Sequence, residues 1–267
     1  MRGGEVMQYD TLTLDCEDTL ASVTLNRPQV RNAFNETMIA ELTSVFGMLG
    51  QRGEIRAIVL AANGVAFCAG ADLNWMRKMA GYSDDENRAD ACMLARMLAT
   101  IYRCPKPVVA RVNGDVYAGG MGLISASDIV VAQEDARFCL SEARLGLIPA
   151  TIAPYVIRVM GERAARRYFT TAEPFDGTTA LRLGLISELV PQVALDETVR
   201  RLADALVANG PAAVAESKRL VQDIAGRPLT DEWMDETAER IARVRASAEG
   251  REGVASFLEK RAPRWRM

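Results

Sequence analysis

Ala21, Val23 and Leu25 alternate with Ser22 and Thr24, the two-residue period of a half-buried strand, and Asn26-Arg27-Pro28 then ends it. Asn35 can cap a following helix with Glu36 in its first turn, and Met38, Ile39, Leu42, Val45, Phe46 and Leu49 recur on one face as a packing stripe. Ala57-Ile58-Val59-Leu60-Ala61 is apolar without a break, as a central strand covered on both faces requires. Pro107 to Val112 and Ile129 to Ala132 read the same way. Met93, Leu94, Met97, Leu98 and Ile101 mark a second core stripe, on a helix from about Asp84 to Arg103. Alternating strands and helices predict an α/β fold with largely parallel connections. After about Pro191 the strand signals stop, and amphipathic helices are predicted over Leu195–Ala208, Pro211–Ile224 and Asp231–Ala248. A core of residues 1–194 is therefore expected to carry a helical region of residues 195–267.

Composition changes this picture mainly by exclusion. With 267 residues, 49% hydrophobic and 25% charged, the chain is ordinary globular material long enough for a large core. Its net charge of −3 provides no general basic field for nucleic acid or anionic lipid. The five cysteines, Cys16, Cys68, Cys92, Cys104 and Cys139, form no CxxC pair, and free, mostly buried thiols are expected. No charged-then-apolar leader occupies Met1 to Asp10, and no apolar run approaches the roughly 20 residues that span a bilayer, so a cytoplasmic protein is expected. There is no histidine, which excludes Ser-His-Asp and Cys-His mechanisms and imidazole zinc sites. No metal site is expected, and acid-base chemistry must fall to carboxylate, Lys, Tyr or thiol.

Two glycine-containing segments interrupt the pattern where strands end: Phe67-Cys68-Ala69-Gly70-Ala71-Asp72-Leu73, and Asn113-Gly114 through Ala118-Gly119-Gly120-Met121-Gly122-Leu123. Each can present bare backbone N–H groups, and the start of a following helix adds unsatisfied donors and partial positive charge. Neither matches a phosphate loop or a dinucleotide fingerprint, which leaves oxygen or carboxylate as ligand. A third segment, Ala136 to Pro149, sets Glu142 amid apolar neighbours. Desolvation there would raise its pKa, as a proton-transfer group needs; a salt bridge to Arg144 or a plain surface position is the other reading.

In order and spacing these segments resemble the crotonase (enoyl-CoA hydratase/isomerase) family. The likeness lies in Asn26-Arg27-Pro28 with Arg31-Asn32-Ala33, Phe67 to Leu73, Asn113-Gly114 through Asp128-Ile129-Val130, Phe138 to Pro149, and the ending Phe257-Leu258-Glu259-Lys260-Arg261. The resemblance implies an αββ spiral core, a C-terminal helical region used in trimerisation, and a homotrimer or dimer of trimers. It implies an acyl-CoA thioester substrate, CoA being part of that substrate and no separate cofactor being required. It further implies that the backbone N–H groups of Ala71 and Gly119 hold the thioester oxygen where negative charge develops. Val30, Arg31 and Ala33 would lie near the CoA nucleotide, and Ala69, Asp72 and Leu73 beside pantetheine and adenine. Gly120 and Gly122 would flank the acyl group, and Lys260 would reach a CoA phosphate across a subunit interface.

One position departs from the family. Typical hydratases place a first glutamate where this chain has Gly122 and a second at Glu142, so Glu142 is left to carry proton transfer while Cys68 and Cys139 pack. The stretch from Phe138 through Pro154 is similar to bacterial methylglutaconyl-CoA and isohexenylglutaconyl-CoA hydratases, and hydration of methylglutaconyl-CoA is the favoured expectation. Gly122 would then free volume for a branched acyl group and remove a like charge from the substrate's own carboxylate. A single glutamate would equally serve β,γ to α,β isomerisation. RNA binding would need a basic surface, whereas the Asn35–Arg52 helix sets only Arg52 against Glu36 and Glu41.

Overall fold

The computed structural model describes residues 5–266. The strands are β1 (Glu5–Gln8), β2 (Leu12–Glu17), β3 (Leu20–Leu25), β4 (Ala57–Ala62), β5 (Ala66–Cys68), β6 (Val108–Val112), β7 (Asp115–Tyr117), β8 (Ile129–Gln133), β9 (Arg137–Cys139), β10 (Phe175–Asp176) and β11 (Glu188–Val190). The α-helices are α1 (Glu36–Gln51), α2 (Leu73–Met79), α3 (Asp84–Arg103), α4 (Gly119–Ala126), α5 (Ala153–Thr171), α6 (Gly177–Arg182), α7 (Leu195–Val207), α8 (Pro211–Ile224), α9 (Asp231–Ala246) and α10 (Ala248–Leu258).

A seven-stranded sheet runs β1-β2-β3-β4-β6-β8-β11, antiparallel among its first three strands and parallel from β3 onward. The apolar runs of β4, β6 and β8, interrupted by Arg111 in β6 and ended by Gln133 in β8, have a direct cause. Ile58, Leu60, Val108, Ala110, Val112, Val130 and Ala132 face the main core, while Val59, Val109 and Val131 face a second cluster with Leu195 and Val199 of α7. Helix α7 thus roofs the outer face of the sheet, and alternate residues of one strand serve two cores.

Helix α1 begins as its sequence predicts, with the Asn35 side chain accepting from Met38 N–H at 2.9 Å. Helix α3 corrects one expectation. Its buried residues are Asp90, Met97, Leu98 and Ile101 with Leu94 half-buried, whereas Met93 is exposed. Met93 lies about 140° round the helix from the fully buried Leu98, at the far edge of the stripe. The last expected helix, Asp231–Ala248, is α9, which ends at Ala246; Ser247 takes an extended conformation and its hydroxyl accepts from Gly250 N–H at 3.0 Å, starting α10, a further helix that the sequence pattern did not predict. Of the cysteines, only Cys92 is exposed. Among the described residues, no helix is long and apolar enough to cross a membrane.

Candidate active site

A second, four-stranded sheet, β10-β9-β7-β5, brings the three chemistry-bearing segments together. Strands β5, β7 and β9 are parallel neighbours. All three therefore release their chains at the same edge: β5 into Gly70-Ala71, β7 into Ala118-Gly119, and β9 into the 3-10 turn Glu142–Leu145. Carboxyl ends of adjacent parallel strands are where α/β folds commonly gather ligand groups.

At the first segment, Ala71 forms an isolated parallel bridge with Phe34. Phe34 N–H donates to the Gly70 carbonyl at 2.7 Å, and Asp72 N–H donates to the Phe34 carbonyl at 2.8 Å. Successive peptide groups in extended chain point to opposite sides, so the N–H of Ala71 faces away from Phe34. At the second segment, α4 begins without a side-chain cap, Ala118 sitting at φ 47°, ψ −117°. The first N–H groups of a helix have no partner within it, and the helix start carries partial positive charge. Gly119 and Gly120 present these donors.

Close packing explains both glycines. A Cβ at Gly119 would meet the Phe34 ring at 2.9 Å, and one at Gly120 would meet the Cys68 Cβ at 2.8 Å. Phe34 therefore touches both donor segments, through its backbone at Ala71 and its ring at Gly119. Sequence reading missed it, because a single buried phenylalanine before a helix looks like any core residue.

Glu142 is half-buried, its Oε2 is enclosed, and that oxygen has no hydrogen-bond partner. Burial raises its pKa above the ordinary 4.5 against a weaker opposing hydrogen bond from its own backbone. The other reading, a salt bridge to Arg144, does not form; Arg144 donates to the Ala172 carbonyl instead. The nearby Leu145, Leu147 and Ile148 are exposed. Burial pushes the Cys68 thiol up to about 12 and raises that of Cys139 as well, which keeps both protonated and inert.

The expected CoA-side residues fall into two adjoining stretches. Ala69 N–H donates to the Arg31 carbonyl at 3.0 Å, joining the loop of Val30, Arg31 and Ala33 to that of Ala69, Asp72 and Leu73. Val30, Arg31, Ala69 and Leu73 are exposed, whereas Ala33 and Asp72 are buried. Asn32, fully buried, anchors the loop: its side chain donates to Asn63 and Ala66 carbonyls and accepts from Arg27 N–H. Asp72 caps α2 through Oδ1 and pairs with Arg27 through Oδ2 at 2.8 Å. Burial alone would raise its carboxyl, but the bonds from Arg27, Asn74 and Trp75 outweigh this and hold it below its ordinary value. Lys260 follows α10 in a left-handed turn, φ 53°, and is exposed.

Gly122 corrects the expectation of free space. A Cβ there would lie 2.4 Å from Cγ2 of Ile152 and 3.3 Å from Cδ2 of Leu98. The room a glycine leaves at this point is occupied by Ile152, itself buried, and is closed to a branched acyl group. Among the described residues, no group of three or more His, Cys, Asp or Glu side chains could hold a metal ion.

The model of the Enoyl-CoA hydratase/isomerase family matches residues 15–267. A crystal structure of an enoyl-CoA hydratase from Shewanella pealeana superposes with a TM-score of 0.94 at 44% identity, covering 97% of each chain. One of an enoyl-CoA hydratase from Mycobacterium smegmatis gives 0.91 at 35% identity, covering 97% of this chain and 100% of that one. The enoyl-CoA hydratase EchA19 of Mycobacterium tuberculosis is 33% identical over 90% of this chain and 91% of its own.

Proposed function

The chain belongs to the enoyl-CoA hydratase/isomerase, or crotonase, family, with its α/β fold and C-terminal helices, and acts as an enoyl-CoA hydratase; on that premise we propose that Glu142 alone moves the proton and that the substrate brings its own distal carboxylate, methylglutaconyl-CoA being preferred. The observations that support this reading are the enclosed, unpartnered Oε2 of Glu142 and a Gly122 site filled by Ile152. A second protein carboxylate has no place at position 122. A dicarboxylate substrate therefore meets no like charge there, which in a desolvated pocket would repel it strongly.

The chemistry needs only groups already described. Ionised Glu142 takes a proton from water as its oxygen bonds to the β-carbon, and the C=C electrons move onto the thioester oxygen. The N–H groups of Ala71 and Gly119 stabilise the enolate as its charge develops. The enolate then collapses, and the α-carbon takes the proton back from the same carboxyl group, which restores Glu142. Water's two hydrogens and oxygen are all accounted for across the former double bond.

The same carboxylate could shuttle a proton between the α- and γ-carbons of a β,γ-enoyl-CoA without water, so isomerisation is the competing reading. Crotonyl-CoA, methylglutaconyl-CoA and a β,γ-enoyl-CoA offered in parallel separate them by product mass, because hydration adds the mass of water and isomerisation adds nothing. Turnover of methylglutaconyl-CoA with mass gain, faster than of crotonyl-CoA, is expected. Turnover of the β,γ-enoyl substrate alone, without mass gain, would overturn the proposal.

A further inference from the structure

Ala71 offers its N–H through the main chain, so whatever aims that donor must act on the chain to either side of it. The bridge to Phe34 is isolated, with no ladder beyond it to hold its register. An ionic clasp spans it instead. Arg27 Nη1 donates to the Ala33 carbonyl at 2.6 Å on the Phe34 side, and Arg27 Nη2 donates to Asp72 Oδ2 at 2.8 Å on the Ala71 side. A guanidinium is a rigid planar fork, so two bonds from its two ends fix the separation of the segments they hold.

Asp72 adds a second constraint. Its Oδ1 accepts from Asn74 N–H at 2.8 Å and Trp75 N–H at 3.3 Å, which sets the first turn of α2 immediately after Ala71. The side chains of Arg27 and Asp72 are only 15% and 7% exposed, so solvent competes weakly for either group. Both Asp72 oxygens are engaged within the protein.

We infer that Arg27 and Asp72 form a positioning pair that aims the Ala71 N–H at the thioester oxygen, acting through Ala71 and not by touching CoA. This rests on the acyl-CoA reading above. The pair holds residues 33–34 against residues 70–72 and leaves the donor only one direction. Loosening it lets the donor drift from the developing charge, and an error of about 1 Å in such a position costs on the order of a hundredfold in rate.

The test uses two conservative variants, because removing Arg27 outright would leave a buried carboxylate unpaired and risk unfolding. Asp72→Asn keeps an oxygen to cap α2 but sets an amide against the guanidinium; Arg27→Lys keeps the charge but loses the fork. Each is expected to lower kcat by roughly 10- to 100-fold with KM little changed, the signature of an interaction made in the transition state. The direct readout is the infrared carbonyl stretch of bound butyryl-CoA, a saturated thioester that cannot react. The unaltered protein should shift it to lower frequency through hydrogen bonding, and both variants should shift it less. A purely structural role would lower the melting temperature while leaving the carbonyl shift and the kcat of folded enzyme unchanged, and that result would overturn the inference alone. No carbonyl shift in the unaltered protein would overturn the acyl-CoA reading with it.

Discussion

Arg144 donates to the carbonyl of Ala172 at 2.5 Å and so leaves the carboxylate of Glu142, two residues earlier, without a cationic partner. An acid paired with Arg144 would be held ionised and weakly basic. Turned away, Arg144 lets burial set the proton affinity of Glu142, which is what a group that must both take and return a proton requires.

Glu142→Gln keeps the shape of the side chain and removes the base. Loss of its proton transfer is expected to lower kcat by about 10²- to 10⁴-fold. Cys139→Ser should retain most activity, and steady-state rates of the two variants check the assignment. Near-normal turnover by Glu142→Gln beside an inactive Cys139→Ser would move the chemistry to the thiol.

The raised pKa of Glu142 fixes the direction of two pH effects. The rate of hydration should fall on the acid side with an apparent pKa above the ordinary 4.5, measurable as the acid limb of kcat/KM. For stability the sign is the reverse of a salt-bridged acid. The unfolded chain ionises first, so native stability is lost as pH rises from 4.5 toward the folded pKa and the deficit persists above it. Denaturant titrations should therefore find Glu142→Gln more stable than the unaltered protein at neutral pH and equal to it below pH about 4.

At Gly122, any side chain must displace Ile152. Gly122→Ala is expected to cost about 1–3 kcal/mol of stability by overpacking, and Ile152→Ala should recover part of it in the double variant. A thermodynamic cycle of the four proteins measures the coupling. In the background that has room, Gly122/Ile152→Glu/Ala, the added carboxylate should weaken methylglutaconyl-CoA more than crotonyl-CoA. Equal weakening of both would remove charge repulsion as a reason for the glycine.

Apolar side chains stand in water on the C-terminal helices and their ends: Leu229 is 91% exposed, Phe257 82% and Leu258 73%. Leaving such groups uncovered is costly, and association that buries them would stabilise by about 25 cal/mol per Å². A trimer or a hexamer is expected by light scattering, and Phe257→Asp should shift it toward the monomer. A monomeric unaltered protein at micromolar concentration would end the intersubunit role considered for Lys260.

The large sheet was legible because β4, β6 and β8 are apolar at every position but Arg111 and Gln133, and burial on both faces favours such runs. The small sheet was not. Strands β5, β7 and β9 have three residues each, too short for any period to show, so the glycine segments could be seen in sequence but not the shared edge that unites them. Glu142 stood out as a lone acid, while its freedom from Arg144 depended on a carbonyl 28 residues away. Arg27 lay in a motif read as a strand end and as part of the family pattern, with no role given to its side chain; its partner is 45 residues on. The meaning of Gly122 depended on Ile152, and no local pattern pairs a glycine with the one side chain that fills its place.

In the proposed mechanism the two donors at Ala71 and Gly119 belong to the main chain, and the proton-transfer group, Glu142, follows a different strand. Substitutions around Glu142 or at the 122/152 contact can therefore alter what happens to the alkene without erasing the polarisation of the thioester. A lineage drifting through such changes would keep a foothold of activity at each step, so the architecture is mutationally robust where it grips and evolvable where it reacts.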